Sequence, residues 1–427
     1  MIQIGMHAGS AGGADRYFDG LCRAFDAMGV SYKGFVFEGR ADECDLPSGL
    51  QVLGQAKAPL GKRLALLRSA VTARLNPETG TGGVAVDRSL QRPNLRAEGP
   101  GGVAGGVIPT APAMALTPQG KEVVASHFAL YSWPVIHPLA RRRRDVAAVS
   151  HFHGPWADES AMEGASKFTV AGKRMLERWV YRSADRVIAA SEAFRRIAIE
   201  TYGVRADKVV AVPLAMDARP FAAAAELPRK LARERLGWPA DRRIVFCLRR
   251  LTRRMGLDRL VEAWRAVVAA HPDALLVIGG TGPLREELEG QVRRGGLGAQ
   301  VMFAGFVPEK DLPMAYRAAD FSVVPSVAME GFGLVILESL AAGTPALVTP
   351  VGGMPEIMRP LEAGLVLPGA GVAEVERGLT DLLAGRLPVP EEKACVEYVR
   401  RNYNWELAAR RVMEVYAAAA QPRRAEG

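Results

Sequence analysis

From position 244 onward the chain alternates short apolar runs with amphipathic stretches: IVFCL, a helical repeat over 257–270, ALLVIG, a repeat over 284–294, VMFAG, a repeat over 312–319, FSVVP, a further helix and ALVT. Apolar runs without polar alternation suit strands covered on both faces, and the helical stretches between them supply the crossovers of a parallel sheet. The chain opens in the same manner. A run at 2–6 leads through a glycine-bearing loop at 8–14 into a helix at 15–28 that turns Tyr17, Phe18, Leu21 and Phe25 inward, which is the opening of a Rossmann-like unit. Further strands are expected from Glu122 in EVVASHF and at 146–149, 186–190 and 209–212, with a helix over 167–182. The fold class is therefore α/β, with two Rossmann-like domains whose parallel sheets face each other across a cleft.

Domains of roughly 100 to 200 residues are usual, so 427 residues suit two. Residues 1–213 read as the first domain, interrupted by a flexible insertion at 76–120 where nine glycines and six prolines leave too little apolar bulk for a core. Residues 214–400 read as the second, connected through the segment 213–229, and 401–427 as a terminal helix crossing back to the first, followed by a tail. Cys22, Cys44, Cys247 and Cys395 show no paired metal-ligand spacing, which fits a reducing compartment. The opening MIQIGMH lacks the basic stretch and apolar core of a signal peptide, and no run of about 18 apolar residues occurs. The expectation is a cytoplasmic protein that neither spans a membrane nor carries a cleavable signal.

The net charge of +9 is unevenly spread. Arg141 to Arg144 form one run. Lys62, Arg63, Arg68 and Arg74 surround Leu60, Leu64, Leu67 and Val71, spaced as on a helix, which suits either acidic lipid headgroups at the inner face of a membrane or packing on the chain's own domain. No aromatic-rich basic strand or known nucleic-acid module is visible, so nucleic acid is not an expected partner.

Three segments carry chemistry. In EGFGLVILE at 330–338, two carboxylates flank a glycine turn that opens a helix. Gly331 and Gly333 let the N–H groups of Phe332, Gly333 and Leu334 point outward at the positive end of the helix, a seat for diphosphate. Glu338 is placed for a ribose diol and Glu330 for sugar hydroxyls. In RRLTRRMG, Arg250 and Arg254 follow a strand and can clamp phosphate. In HFHGPW, His151 and His153 can offer neutral imidazoles to a hydroxyl or phosphate oxygen. No metal-ligand partner is legible beside them, so neither reads as a zinc ligand and no catalytic metal or cofactor is expected. Each segment also has a plainer reading: a capped helix, a solvated basic loop and structural histidines.

Together these segments resemble the family-four retaining glycosyltransferases of GT-B architecture, over nearly the whole chain outside 76–120. GGADRY, with Gly12 and Gly13, resembles the family's donor-phosphate loop, and HFHGPW the segment whose histidine reaches donor sugar or acceptor, a role the resemblance gives to His153. RLTRRMG resembles the basic clamp, GGTGPL with Gly282 the second glycine turn, and GFVPEKDL with Val307 the loop over the base. The paired glutamates are the most specific match. The sequence departs from the pattern at Met255, where a lysine is usual, and at PLAMD, 213–217, where the family has asparagine and glycine. The resemblance implies transfer of a sugar from a nucleotide-diphosphate donor to a glycan or lipid-linked acceptor with retention at the anomeric carbon, with Glu330, His153 and Arg250 at the reacting centre and a role in cell-envelope or exopolysaccharide synthesis. A sugar-nucleotide epimerase of the same architecture and a non-catalytic sugar-nucleotide or glycan-binding protein remain alternatives.

Overall fold

The computed structural model describes residues 1–7, 13–38, 46–55, 57–76 and 121–421. Gly12, Cys44 and all but Asn76 of the glycine- and proline-rich stretch lie outside the described residues. Two all-parallel sheets organise the rest. The first contains β1 (Ile2–His7), β2 (Lys33–Glu38), β3 (Leu50–Gln55), β4 (Glu122–Ser126), β5 (Val146–Phe152), β6 (Arg186–Ala189) and β7 (Val209–Ala211), in the order β3-β2-β1-β4-β5-β6-β7. The second contains β8 (Arg243–Leu248), β9 (Ala274–Gly279), β10 (Val301–Gly305), β11 (Phe321–Val324) and β12 (Ala346–Val348), in the order β10-β9-β8-β11-β12. Strands β5 and β9 are buried along their whole length, which is why they read as unbroken apolar runs.

Two strands escaped the sequence reading. KGFVFE and LQVLGQ became β2 and β3 at one edge of the first sheet, where β3 is only half-buried and its pattern correspondingly weak.

Helices α1 (Gly13–Ala27), α2 (Leu60–Leu75), α3 (Ala129–Arg142), α4 (Trp156–Met162), α5 (Lys167–Ser183) and α6 (Glu192–Glu200) accompany the first sheet. Ser166 caps α5 and Ser191 caps α6 by accepting the N–H of Thr169 and Phe194. On α2 most of the apolar stripe points inward: Leu67 and Val71 are buried in a cluster with Phe35, Phe37 and Ile136, with Leu64 packed against it. Of the two uses the sequence left open for that stripe, Leu64, Leu67 and Val71 serve the domain's own core, while Leu60 stays 38% exposed. No described helix is long and apolar enough to cross a membrane.

The helix Trp405–Ala420 returns to the first sheet and packs its Val412, Met413 and Tyr416 against Phe18, Phe25 and Val149. Asn404 caps it through the N–H of Leu407. Its contact with α1 is close: a Cβ added to Gly20 would lie 2.0 Å from the Trp405 ring. A Gly20→Leu substitution is therefore expected to lower stability by about 1–3 kcal/mol through overpacking. Denaturant unfolding measures this, and an unchanged midpoint would show that the α1 contact tolerates the added bulk.

Candidate functional site

The carboxyl ends of both sheets meet. From the first come Arg16 after β1, Glu159 after β5 and Ser191 after β6; from the second come Arg254 after β8, the turn at 330–331 after β11 and Glu356 after β12. The Ser191 hydroxyl donates to the Gly331 carbonyl at 2.7 Å, and the Glu356 carboxylate accepts the backbone N–H groups of Glu192 and Ala193 at 2.9 and 2.8 Å. A carboxylate of the second sheet's unit thus caps a helix of the first.

Glu330 sits in this junction as the acceptor of a buried guanidinium. Arg249, the residue directly after β8, donates from Nη2 to Ser326 Oγ at 2.5 Å and to Glu330 Oε2, and Ser326 Oγ also donates to Glu330 at 3.2 Å. The sequence reading passed over Arg249 in favour of its neighbours, since a strand-end arginine carries no sign of whether it turns inward. The turn is tightly seated. Met329 adopts φ 54°, Gly333 adopts φ 101°, and a Cβ on Gly352 would lie 1.7 Å from the Glu330 carbonyl oxygen. Gly333 begins the helix Leu334–Ala341, whose N-terminus has no side-chain cap. Phe332 contributes backbone only, because its ring is buried against Tyr403 at 5.8 Å between centroids.

Glu338 is buried and faces the first sheet's unit. Arg16 Nη1 donates to its Oε1 at 3.2 Å and Tyr316 OH to its Oε2 at 3.1 Å. In this conformation the carboxylate expected at a ribose diol is occupied by protein donors. Arg16, unnoticed in the sequence, follows the opening glycine loop at the start of α1, where Gly13 is its first residue.

The two arginines of the expected clamp part ways. Arg254 is buried, donates to the Met329 carbonyl at 3.0 Å and lies 3.6 Å from Glu159 Oε1. Arg250 is exposed. Burial raises the Glu159 carboxyl above its usual range, against the pull of Arg254 and Arg250. Met255 is buried in the core with its sulfur 4.0 Å from Ser326 Oγ, so the position where a lysine is usual brings no charge to the junction. Gly282 packs onto the Leu251 carbonyl, 2.5 Å from where its Cβ would be, which joins the β9 turn to the loop after β8. Val307 is partly buried beside the exposed Phe306 after β10.

His153 belongs to a cluster that corrects the expectation of histidines without partners. His127, 26 positions earlier and hidden in the EVVASHF run, places Nδ1 3.3 Å from His153 Nε2, while its Nε2 lies 3.2 Å from Gln3 Oε1. Because that amide oxygen only accepts, His127 carries its proton on Nε2 and accepts from His153. His151 Nε2 lies 2.8 Å from the Tyr416 hydroxyl, which in turn bonds to the Gln3 amide. The donor atoms of the three rings fall within 4.8 Å of one another, the spacing of a candidate metal triad among the described residues. The His127 and His151 rings are stacked 3.9 Å apart at 18°, however, so their in-plane lone pairs run side by side, and both His127 nitrogens and His151 Nε2 are engaged with Gln3, His153 and Tyr416. The cluster serves as a hydrogen-bonded support for His153, which lines a narrow pocket with Tyr17, His151, Ile188, Ala190 and Val212.

Two all-parallel α/β units joined through their strand ends, with a terminal helix returning to the first, define the GT-B architecture. The solved structure of Anabaena HepE in complex with UDP superposes with a TM-score of 0.68 over 98% of this chain and 99% of that one, at 18% identity. The family model described as Glycosyl transferases group 1 matches residues 228–402, and Glycosyltransferase Family 4 matches residues 109–219. A D-inositol 3-phosphate glycosyltransferase from Kineococcus radiotolerans is 33% identical over 331 residues, 71% of this chain and 73% of that protein. A GDP-mannose-dependent phosphatidylinositol monomannoside mannosyltransferase from Mycolicibacterium smegmatis is 30% identical, covering 68% and 75%. The chain spans only 40% of the Agrobacterium fabrum mannosylfructose-phosphate synthase, to which it is 33% identical over 183 residues. The chain belongs to glycosyltransferase family 4.

Burial drives the His153 imidazole down to about 4, and burial, followed by the neighbouring rings, holds His127 and His151 well below their ordinary value. All three are neutral at pH 7. Their folded-state values lie below the unfolded value of about 6.5, so the unfolded chain binds more protons between about pH 4 and 6.5. Stability is therefore expected to fall as pH drops through that window, with a shallower slope in a His153→Asn protein. Thermal melts across the range check this, and equal slopes would contradict it.

Proposed function

We propose that this protein is a retaining glycosyltransferase that moves a sugar from a nucleoside-diphosphate donor to a glycan or lipid-linked acceptor. The observation that carries the reading is the Glu330 turn. A carboxylate held by Arg249 and Ser326 stands directly before the uncapped N-terminus of Leu334–Ala341, inside the junction of the two units. Amides at that terminus and the Arg250 and Arg254 guanidiniums suit the donor's diphosphate. The Gly13 end of α1, Gly282 and Val307 complete the donor side, and Glu338 meets the ribose once Arg16 releases it.

In the proposed reaction the acceptor hydroxyl attacks the anomeric carbon on the face the diphosphate leaves. The bond from that carbon to the phosphate oxygen breaks, the bond to the acceptor oxygen forms, and the leaving phosphate takes the hydroxyl proton. Arg250, Arg254 and the helix amides offset its growing charge, Glu330 holds sugar hydroxyls, and neutral His153 hydrogen-bonds the sugar or acceptor. No resident metal is given a role.

A UDP complex among structural neighbours, and a relative named for a phosphatidylinositol monomannoside, support a nucleotide-sugar donor and a lipid-linked acceptor at a membrane surface. That placement fits cell-envelope or exopolysaccharide assembly.

Arg250 is the cleanest test of the donor side because it is exposed. Arg250→Ala is expected to leave stability within about 0.5 kcal/mol while weakening donor binding roughly 10- to 100-fold, the cost of charge-assisted hydrogen bonds. A screen of UDP-, GDP- and ADP-sugars by thermal shift, followed by titration, measures it; unchanged affinity would remove Arg250 from the site. Glu330→Gln is expected to lower transfer per folded molecule by about 10²-fold, with some loss of stability because buried Arg249 loses its charge partner. Full turnover in the folded Glu330→Gln protein, or nucleotide release that needs no acceptor, would refute the transferase reading. NMR of the product anomer tests retention.

A further inference from the structure

Helix α5 is apolar on two opposite sides. Val170, Val180 and Tyr181 are buried toward the domain. Phe168, Met175 and Trp179 recur at intervals of seven and four, which places them on one stripe facing outward, and they are 91%, 51% and 46% exposed. Ala171 and Gly172, also exposed, leave no charge between them. A surface helix normally reserves its second face for polar residues, so an outward stripe of this composition calls for a further apolar neighbour.

The charge around the stripe indicates which neighbour. Exposed Lys167, Arg178 and Arg182 flank it on α5, whose one acid, Glu177, is turned inward to accept the N–H groups of Trp156 and Ala157. Helix α3 packs along α5 and α2 along α3, so the three form one outer layer. Neither α2 nor α3 contains an acidic residue. Lys62, Arg68 and Arg74 of α2 are exposed, as are Arg144 just beyond α3 and Trp133 on it, at 40%. Among the acids near this layer, Asp158 pairs with Arg174, Glu159 with Arg254 and Asp145 with Arg143, while Glu163 and Glu200 are exposed. Aromatic and methionine side chains amid uncompensated cations match the boundary between anionic headgroups and acyl chains.

We propose that α5, flanked by α3 and α2, is the face by which this protein docks on an anionic phospholipid bilayer, with Phe168, Met175 and Trp179 entering the lipid. The proposal deepens the reading of a membrane-side acceptor, and moves the apolar part of the contact from α2, whose Leu64 and Leu67 are spent on the core, to α5. Docking requires no donor and no transfer, so it is tested separately from catalysis.

The full chain is expected to cosediment with phosphatidylglycerol-containing vesicles and not with pure phosphatidylcholine vesicles, the bound fraction falling with added salt. A Phe168→Ser, Trp179→Ser double variant is expected to bind at least about tenfold more weakly while melting as the parent does and transferring sugar to a soluble acceptor, with release of nucleotide, at the parent's rate. A Lys62→Glu, Arg68→Glu variant is expected to lose the preference for anionic lipid. Equal binding to both vesicle types overturns the proposal. So does an unaltered double variant, or one whose only change is conversion of a self-associated form to monomer, which would make the stripe an interface between copies of this chain. Failed transfer with intact docking would count against the catalytic reading alone.

Discussion

The junction is organised by a single buried cation. Arg249 leaves the end of β8 without solvent around it, and a guanidinium removed from water is costly unless its donors are met. Glu330 and Ser326 both accept from its Nη2, and both come from the segment after β11, the strand adjacent to β8, while its buried Nε has no partner among the described residues. That requirement explains the shape of the turn. Met329 accepts a left-handed backbone, and Gly352 leaves room against the Glu330 carbonyl. The turn then delivers the next helix with its N-terminus uncapped at the interface.

Around this centre, charges of one unit are satisfied by the other: Arg16 by Glu338, Glu159 by Arg254, and the start of α6 by Glu356. These are the groups that the proposed donor chemistry calls on. In the proposed reaction ribose and phosphate would take the places of Arg16 and Glu159, so that donor entry would exchange one partner for another on Glu338 and Arg254, the two largely buried charges of these pairs. An exchange of that kind costs less than stripping each ion of water afresh. Arg250, exposed at the rim, stands outside the exchange and is available from the start.

The histidine cluster shows a second use of long-range packing. Tyr416, from a helix at the far end of the chain, and Gln3, from the first strand, bond to each other and to His151 and His127, and His127 holds His153. The returning helix Trp405–Ala420 is thus connected to His153, the side chain proposed to hydrogen-bond the sugar or acceptor. Burial keeps the rings neutral, which favours hydrogen-bonding roles over charge stabilisation.

The alternation of apolar runs and helical repeats was enough to read both parallel sheets, because a strand buried on two faces has no other composition available to it; the half-buried edge strand β3 lacked that signature, and β2 beside it was passed over too. The spacing of Glu330 and Glu338 around a glycine turn was equally local and equally legible. Which arginine turns inward was not, since Arg249, Arg250 and Arg254 differ only in what the folded chain places opposite them. Nor could spacing reveal that Met255 and the α2 residues Leu64 and Leu67 belong to cores, that His127 joins His153, or that α5 keeps an apolar stripe in solvent. Periodicity along a chain records which side chains share a face; only the packing of one element on another decides whether that face meets protein or water.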